Sequence, residues 1–241
     1  MIRPALFTAL LLLASASVAF AQQDADALLD RVAETAEAIG DVSFLLTGRL
    51  IDGDGTEIRL ELEVEAIPEG RVASAYVLQP DALADNIVVL DGDTVANYTF
   101  LTNQVTLFDA DDPDALGGLI GAGDDEELQV TFDLERLFAG YAASTVGETE
   151  TPHGPATIVR LDNVEENAQI AWVSVTIPES TLLPYRLELF GRDGDLLAEL
   201  VFEDLALDTG LEADSVTFLP EDAEIIDERA DETEEEAAEG G

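Results

Sequence analysis

Cysteine and lysine are absent from the sequence, and histidine and tryptophan occur once each, as His153 and Trp172. Without cysteine the chain can form no disulfide and offers no thiolate nucleophile. One histidine and no lysine exclude most catalytic triads, Schiff-base enzymes and zinc sites. His153 lies between Pro152 and Pro155, where a surface loop is predicted. We therefore predict a protein that is not an enzyme and has no catalytic residue, no metal site and no cofactor.

Basic side chains are scarce, whereas acidic ones are abundant. The chain has 53 aspartates and glutamates against 10 arginines, which gives a formal net charge of −43. Such a surface repels nucleic acid, so nucleic acid is not an expected partner. The acidic surface is interpreted as a solvated coat suited to a saline exterior, with a docking surface for a basic partner or for calcium as alternatives. Residues 52–57 and 109–112 resemble pieces of a calcium loop but lack its twelve-residue pattern.

The N-terminus has the pattern of a secretory signal peptide. Arg3 is the only charged residue before Asp24, and an apolar run covers residues 5–14. Ala19-Phe20-Ala21 then forms a small-x-small cleavage site. We predict cleavage after Ala21 and export of the mature chain to the periplasm. No later stretch approaches the length of a spanning helix.

A strictly alternating segment organises the rest of the chain. Glu57–Ala66 reads EIRLELEVEA, so apolar and charged side chains alternate without exception over ten residues. This period of two is typical of a β-strand with one apolar and one solvated face. The segment therefore predicts a one-sided sheet whose outer face is acidic.

The remaining pattern predicts one helix, at Asp24–Ile39, followed by many short strands joined by tight turns. The predicted strands are Val42–Ile51, Glu57–Ala66, Val72–Leu78, Asn86–Leu90, Thr94–Leu101, Gln104–Phe108, Ala142–Glu150, Ala156–Asp162, Ile170–Ile177, Pro184–Phe190 and Leu196–Leu205, with an edge strand at Ser215–Phe218. Short helices are predicted near residues 113–120 and 133–139. Residues 22–220 are expected to form one domain, and residues 221–241 a disordered acidic tail.

So many hairpins and so few helices predict a mainly β (α+β) protein. Its antiparallel sheet must curl on itself or pack on another sheet. Only 6% of the residues are aromatic, and the predicted inner faces consist of leucine, valine, isoleucine and alanine. From this pattern alone, an apolar cavity and an ordinary filled core both stay open.

Several local features occur in an order typical of one family. They are the helix running into Asp41-Val42-Ser43-Phe44, the strand Leu60–Val64 before Pro68, Gln79-Pro80 followed by residues 86–94 and Tyr98, and the C-terminal pieces 184–189, 193–194, Phe202 and 218–220. In this order the chain resembles the periplasmic outer-membrane lipoprotein carrier family (LolA-like, with its LppX and RseB relatives). One difference lies just before Pro68, where proteobacterial carriers have an arginine and this chain has Ile67.

The resemblance implies an unclosed β half-barrel with an N-terminal helix and a short helical lid over an apolar cavity. It implies a monomeric carrier of an acylated lipoprotein or lipid, served by an inner-membrane export complex and an outer-membrane acceptor. The alternative it offers is an envelope-stress sensor or interaction module that regulates a membrane partner. The predicted acyl cavity comprises Phe44, Leu46, Leu60, Leu62 and Val64, with the first helix and residues 113–123 as lid.

Overall fold

The computed structural model describes residues 24–51, 53, 55–110, 112, 115, 141–164 and 170–229. Residues 24–37 form helix α1, and most of the rest is β-structure. The strands are β1 (Val42–Ile51), β2 (Glu57–Ile67), β3 (Val72–Gln79), β4 (Ile87–Asp91), β5 (Thr94–Thr99), β6 (Gln104–Asp109), β7 (Tyr141–Thr151), β8 (Gly154–Asn163), β9 (Trp172–Pro178), β10 (Arg186–Phe190), β11 (Leu196–Leu207) and β12 (Glu224–Asp227). A 3-10 turn occupies Pro68–Gly70, and helix α2 occupies Ala213–Val216.

The predicted helix and the eleven consecutive strands are confirmed, with ends that differ by a few residues. The edge strand predicted at Ser215–Phe218 is wrong, because Ala213–Val216 is helical and buries Val216. The stretch predicted as a tail begins with β12, since Ile225 and Ile226 pair with β6. The signal peptide, most of the predicted lid at 113–123, the predicted helix at 133–139 and the tail from residue 230 lie outside the described residues.

The twelve strands form one sheet in the order β12-β6-β5-β4-β3-β2-β1-β11-β10-β9-β8-β7. Strands β12 and β7 stand at its two ends, so within the described residues the sheet is not closed into a barrel. The pairs from β2 to β6 are antiparallel, as are those from β8 to its neighbours. An entirely antiparallel sheet was the expectation, but β12 joins β6 in parallel. Among the described helices, none has the length and apolar character required to cross a membrane.

The chain divides into two compact units. Unit 1 includes α1, Gly48–Ile58, strands β7 to β10 and β11 as far as Phe202. Its core is the apolar face of β7 to β10 covered by α1. The buried members of that core are Ala25, Val32, Ala143, Val159, Leu161, Val173, Val175, Ile177 and Leu187. The predicted stripe of α1 thus packs on its sheet at helical spacing, and the single domain predicted over 22–220 stays a prediction.

Unit 2 includes Ile39–Thr47, strands β3 to β6 with most of β2, and the chain from Glu203 onward. A carboxylate fixes the start of β1 within this unit. The two oxygens of Asp41 accept hydrogen bonds from Thr209 N at 2.7 Å, Thr209 Oγ1 at 2.8 Å and Gly210 N at 2.8 Å. In return, Gly40 N donates to Asp208 Oδ1 at 2.8 Å. These reciprocal bonds hold the entry to β1 against the exit from β11.

Replacing Asp41 by asparagine should lower the melting temperature by several degrees, because an amide NH₂ would then face a backbone N–H donor. Burial works to raise the pKa of Asp41, but the hydrogen bonds from Thr209, Gly210 and Leu211 outweigh it and lower that pKa. A lowered pKa means that the carboxylate stabilises the fold above its unfolded pKa and loses this effect as pH falls through the folded value.

The difference in melting temperature between the wild type and Asp41→Asn should therefore be largest near neutral pH and shrink in acid. Thermal unfolding followed by circular dichroism at several pH values measures it. The exposed Glu63→Gln variant is the charge-matched control and should melt close to the wild type. An equal loss in both variants would show that the Asp41 hydrogen bonds do not stabilise the fold.

Candidate functional site

The predicted cavity residues on β2 lie together on one side of the strand. Leu60, Leu62 and Val64 are buried, and Val64 is only 1% exposed. Glu63, between two of them, is exposed on the other side. The alternation predicted from the sequence is therefore present, with an apolar side sheltered from water and an acidic side facing it.

Strand register extends this apolar side across β3 to β6. Residues directly opposite on neighbouring strands share a face of the sheet. Leu62 is opposite Val77, Val64 is opposite Ala75, and Ala75 in turn is opposite Val88. We call the resulting surface the inner face; its members are Leu62, Val64, Ala66, Ala73, Ala75, Val77, Val88, Leu90, Val95, Asn97, Thr106 and Phe108.

The two remaining predicted residues lie on β1, which is next to β2 in the sheet. Phe44 and Leu46 are two residues apart and therefore point to the same side of β1. Leu46 is buried, and Phe44 is half-buried. The structure thus places three of the five predicted residues on the strand that begins the inner face and the other two on the adjacent strand.

The inner face also contains residues that were not predicted as cavity wall. Strand β3 contributes Ala73, Ala75 and Val77, all buried and all small. Strand β5 contributes Asn97, a polar residue opposite Val88 on one side and Thr106 on the other. An apolar surface of small side chains of this kind is suited to a flexible apolar ligand.

The opposite face of β4 to β6 has an apolar cluster of its own. Its buried members are Val89, Ala96, Tyr98 and Val105. Leu219 and Ala223, from the chain that follows α2, pack against this cluster. Unit 2 therefore has two apolar faces on the same strands, and the C-terminal segment covers the one that is not the inner face.

The arginines of the described residues are largely used within the protein. Those that form ion pairs with acidic side chains are Arg49, Arg71, Arg160, Arg186 and Arg229. Ion pairs near the surface contribute little to stability, because water screens them. Because these pairs neutralise most of those few arginines, the net charge that a partner meets at the surface is negative.

The described residues contain no cluster of histidine, aspartate or glutamate side chains arranged for a metal ion. Asp52, Asp54 and Asp111, from the two acid-rich segments, lie outside the described residues. His153 is exposed in the turn between β7 and β8, as predicted, and its ring meets Tyr185 edge-on at 5.4 Å.

No protein-family model matches the sequence, and no curated protein matches it. Solved structures do match the fold. An uncharacterized conserved protein from Thermus thermophilus superposes with a TM-score of 0.59 at 20% sequence identity. The match covers 84% of this chain and 98% of that protein.

MucB superposes with a TM-score of 0.53 at 16% identity over 85% of this chain, which spans 66% of MucB. MucB is also matched in its complex with MucA(peri). The Mycobacterium tuberculosis lipoprotein LppX matches with a TM-score of 0.50 at 10% identity, covering 78% of this chain and 97% of LppX. At these sequence identities the structural matches show the fold alone. That fold agrees with the one implied by the order of sequence features. The chain has the LolA-like fold.

Proposed function

We propose that this chain is an exported carrier that shelters the acyl chains of a lipid or lipoprotein on its inner face. It would act in the periplasm after cleavage at Ala21, receiving its cargo from an inner-membrane export complex and passing it to an outer-membrane acceptor. The observation that supports the proposal is the inner face: a largely buried, mostly aliphatic surface on β2 to β6, separate from the cluster that the C-terminal segment covers.

The energetics of such a site suit a carrier. Burying one methylene group is worth about 0.8 kcal/mol, so sheltering a sixteen-carbon chain can contribute on the order of 12 kcal/mol. Alanine side chains such as those of Ala73 and Ala75 have no rotamers, so they present a smooth wall along which an acyl chain can slide. The acidic outer face repels anionic membranes, so a loaded carrier stays in solution until a partner engages it.

The proposal predicts that the purified mature protein contains or takes up lipid. Native mass spectrometry should show a mass increment, and organic extraction should recover acyl-containing material. Protein stripped of lipid should then bind a fluorescent fatty acid at one saturable site. A protein that carries no lipid and takes up no fluorescent fatty acid would contradict the proposal.

A second candidate function, binding of a regulatory protein partner, is favoured by the β5–β6 turn. Phe100 is 56% exposed and Leu101 is 91% exposed at its tip. The turn is fixed, because Phe100 N donates to Asn86 Oδ1 at 2.9 Å and Tyr98 Oη donates to Asn103 Oδ1 at 3.1 Å. Two apolar side chains held in water on an acidic protein suit a partner with an apolar pocket and a basic rim.

The MucB complex with MucA(peri) is an example of a partner bound by a protein of this fold. Pull-down from envelope extracts separates the two functions. A membrane protein that is retained by the wild type and by the exposed control Val164→Ser, but lost with Phe100→Ser and Leu101→Ser, would favour the partner-binding function. Recovery of acylated lipoproteins with all variants would favour the carrier.

A further inference from the structure

Two polar side chains, Asn97 and Thr106, interrupt the otherwise apolar inner face. Asn97 lies in the middle of β5, opposite Val88 of β4 and Thr106 of β6. Val95, two residues earlier, is on the same face and is buried. Apart from Thr106, the neighbours of this amide on the inner face are apolar residues such as Val88 and Val95, so a polar group that cannot leave the face requires an explanation.

Half of the Asn97 amide has a partner, and half has none. Asn97 Nδ2 donates to the carbonyl oxygen of Ala115 at 2.7 Å. Asn97 Oδ1 is buried and has no hydrogen-bond partner among the described residues. The amide cannot be turned over, because Oδ1 would then face the Ala115 carbonyl, oxygen against oxygen. The acceptor is thus fixed in place by the bond on the other side of the same group.

A buried acceptor without a donor destabilises a protein, and native structures contain few of them. Leucine or valine at position 97 would continue the aliphatic face without that cost. An asparagine at this position is therefore explained if its acceptor receives a hydrogen bond when a ligand is bound. The group that uses it must be a hydrogen-bond donor that arrives with the ligand.

We propose that Asn97 Oδ1 accepts a hydrogen bond from a neutral donor on the ligand, so that the inner face prefers acyl chains that carry an amide N–H or a hydroxyl group. The inference rests on the proposed function, because it assumes that acyl chains bind to the inner face. It adds a polar selectivity that an aliphatic surface alone does not supply. A plain ester offers only acceptors and leaves Asn97 Oδ1 unsatisfied.

The test compares two ligands that differ in one group, N-methylpalmitamide and methyl palmitate. Each competes with a fluorescent fatty acid for the stripped wild-type protein, and the dissociation constants follow from the displacement curves. We expect the amide to bind about tenfold more tightly than the ester, which corresponds to about 1.4 kcal/mol. The Asn97→Leu variant should bind both ligands alike. Thr94→Val, on the same strand but the opposite face, should keep the wild-type preference.

The outcomes separate the inference from the proposed function. If the stripped wild-type protein binds no fluorescent fatty acid, so that there is nothing to displace, the carrier function itself is wrong. If both ligands bind the wild type with equal affinity, the carrier function stands and the role of Asn97 is refuted. A preference that persists in Asn97→Leu refutes it as well. The wild-type comparison requires no variant, so it decides the question even if Asn97→Leu folds poorly.

Discussion

Replacing Gly48 by alanine is expected to destabilise the protein by about 3 kcal/mol, the upper part of the range for overpacking. A Cβ atom at Gly48 would overlap the carbonyl oxygen of Glu199 and would lie 3.1 Å from the Cα atom of Leu200. Both contacts are with the backbone of β11, so no change of rotamer relieves them. The strands β1 and β11 are neighbours in the sheet and would have to separate locally.

For a chain of this size, each kcal/mol lowers the melting temperature by about 2–4 °C, so a drop of about 6–12 °C is expected for Gly48→Ala. Differential scanning calorimetry of the mature protein measures it. Gly147→Ala is the matched control, because a Cβ there meets nothing within 4 Å and the glycine lies in a strand. Melting of Gly48→Ala at the wild-type temperature would show that the two backbones do not approach as closely as described.

The sequence predicts most of the elements correctly because their signals are local. Strand β2 follows from its alternation, and the acids of its outer face are exposed or half-buried, as expected. The turn at Gly92, which has a φ of 62°, joins β4 and β5 with Asp91 opposite Thr94. Counting outward from that turn places Val88 opposite Asn97, so the β4–β5 part of the inner face could have been derived from the hairpin alone.

Features that depend on distant parts of the chain could not be read in this way. Strand β12 is short and acidic, and only its pairing with β6 shows that Ile225 and Ile226 belong to the sheet. The need for glycine at position 48 arises from the backbone of Glu199, far along the sequence. The bond from Asn97 to Ala115 likewise joins a strand to a segment whose pattern predicts only a short helix. Propensity reflects the backbone conformation that a residue prefers. These three features depend instead on which distant part of the chain packs beside the residue.

Replacing Leu62 by tryptophan should weaken the binding of a fluorescent fatty acid about thirtyfold while leaving the fold stable. Leu62 is buried and is one of the three β2 members of the inner face. An indole there would occupy the space of two or three methylene groups of a bound chain. At about 0.8 kcal/mol for each methylene, their exclusion costs roughly 2 kcal/mol of binding, which is about thirtyfold in the dissociation constant.

Glu63→Trp is the matched control, because it places the same side chain one residue further along β2 but on the exposed outer face. It should bind the fluorescent fatty acid like the wild type, and neither variant should lose much stability. Fluorescence titration and thermal unfolding of the three proteins provide both measurements. If Leu62 instead belongs to a filled core, Leu62→Trp will lose about 1–3 kcal/mol of stability from overpacking, as expected for a packed interior. Destabilisation without any change in lipid affinity would show that the ligand does not bind at the inner face. A side chain that contacts the ligand must alter the affinity when its shape changes.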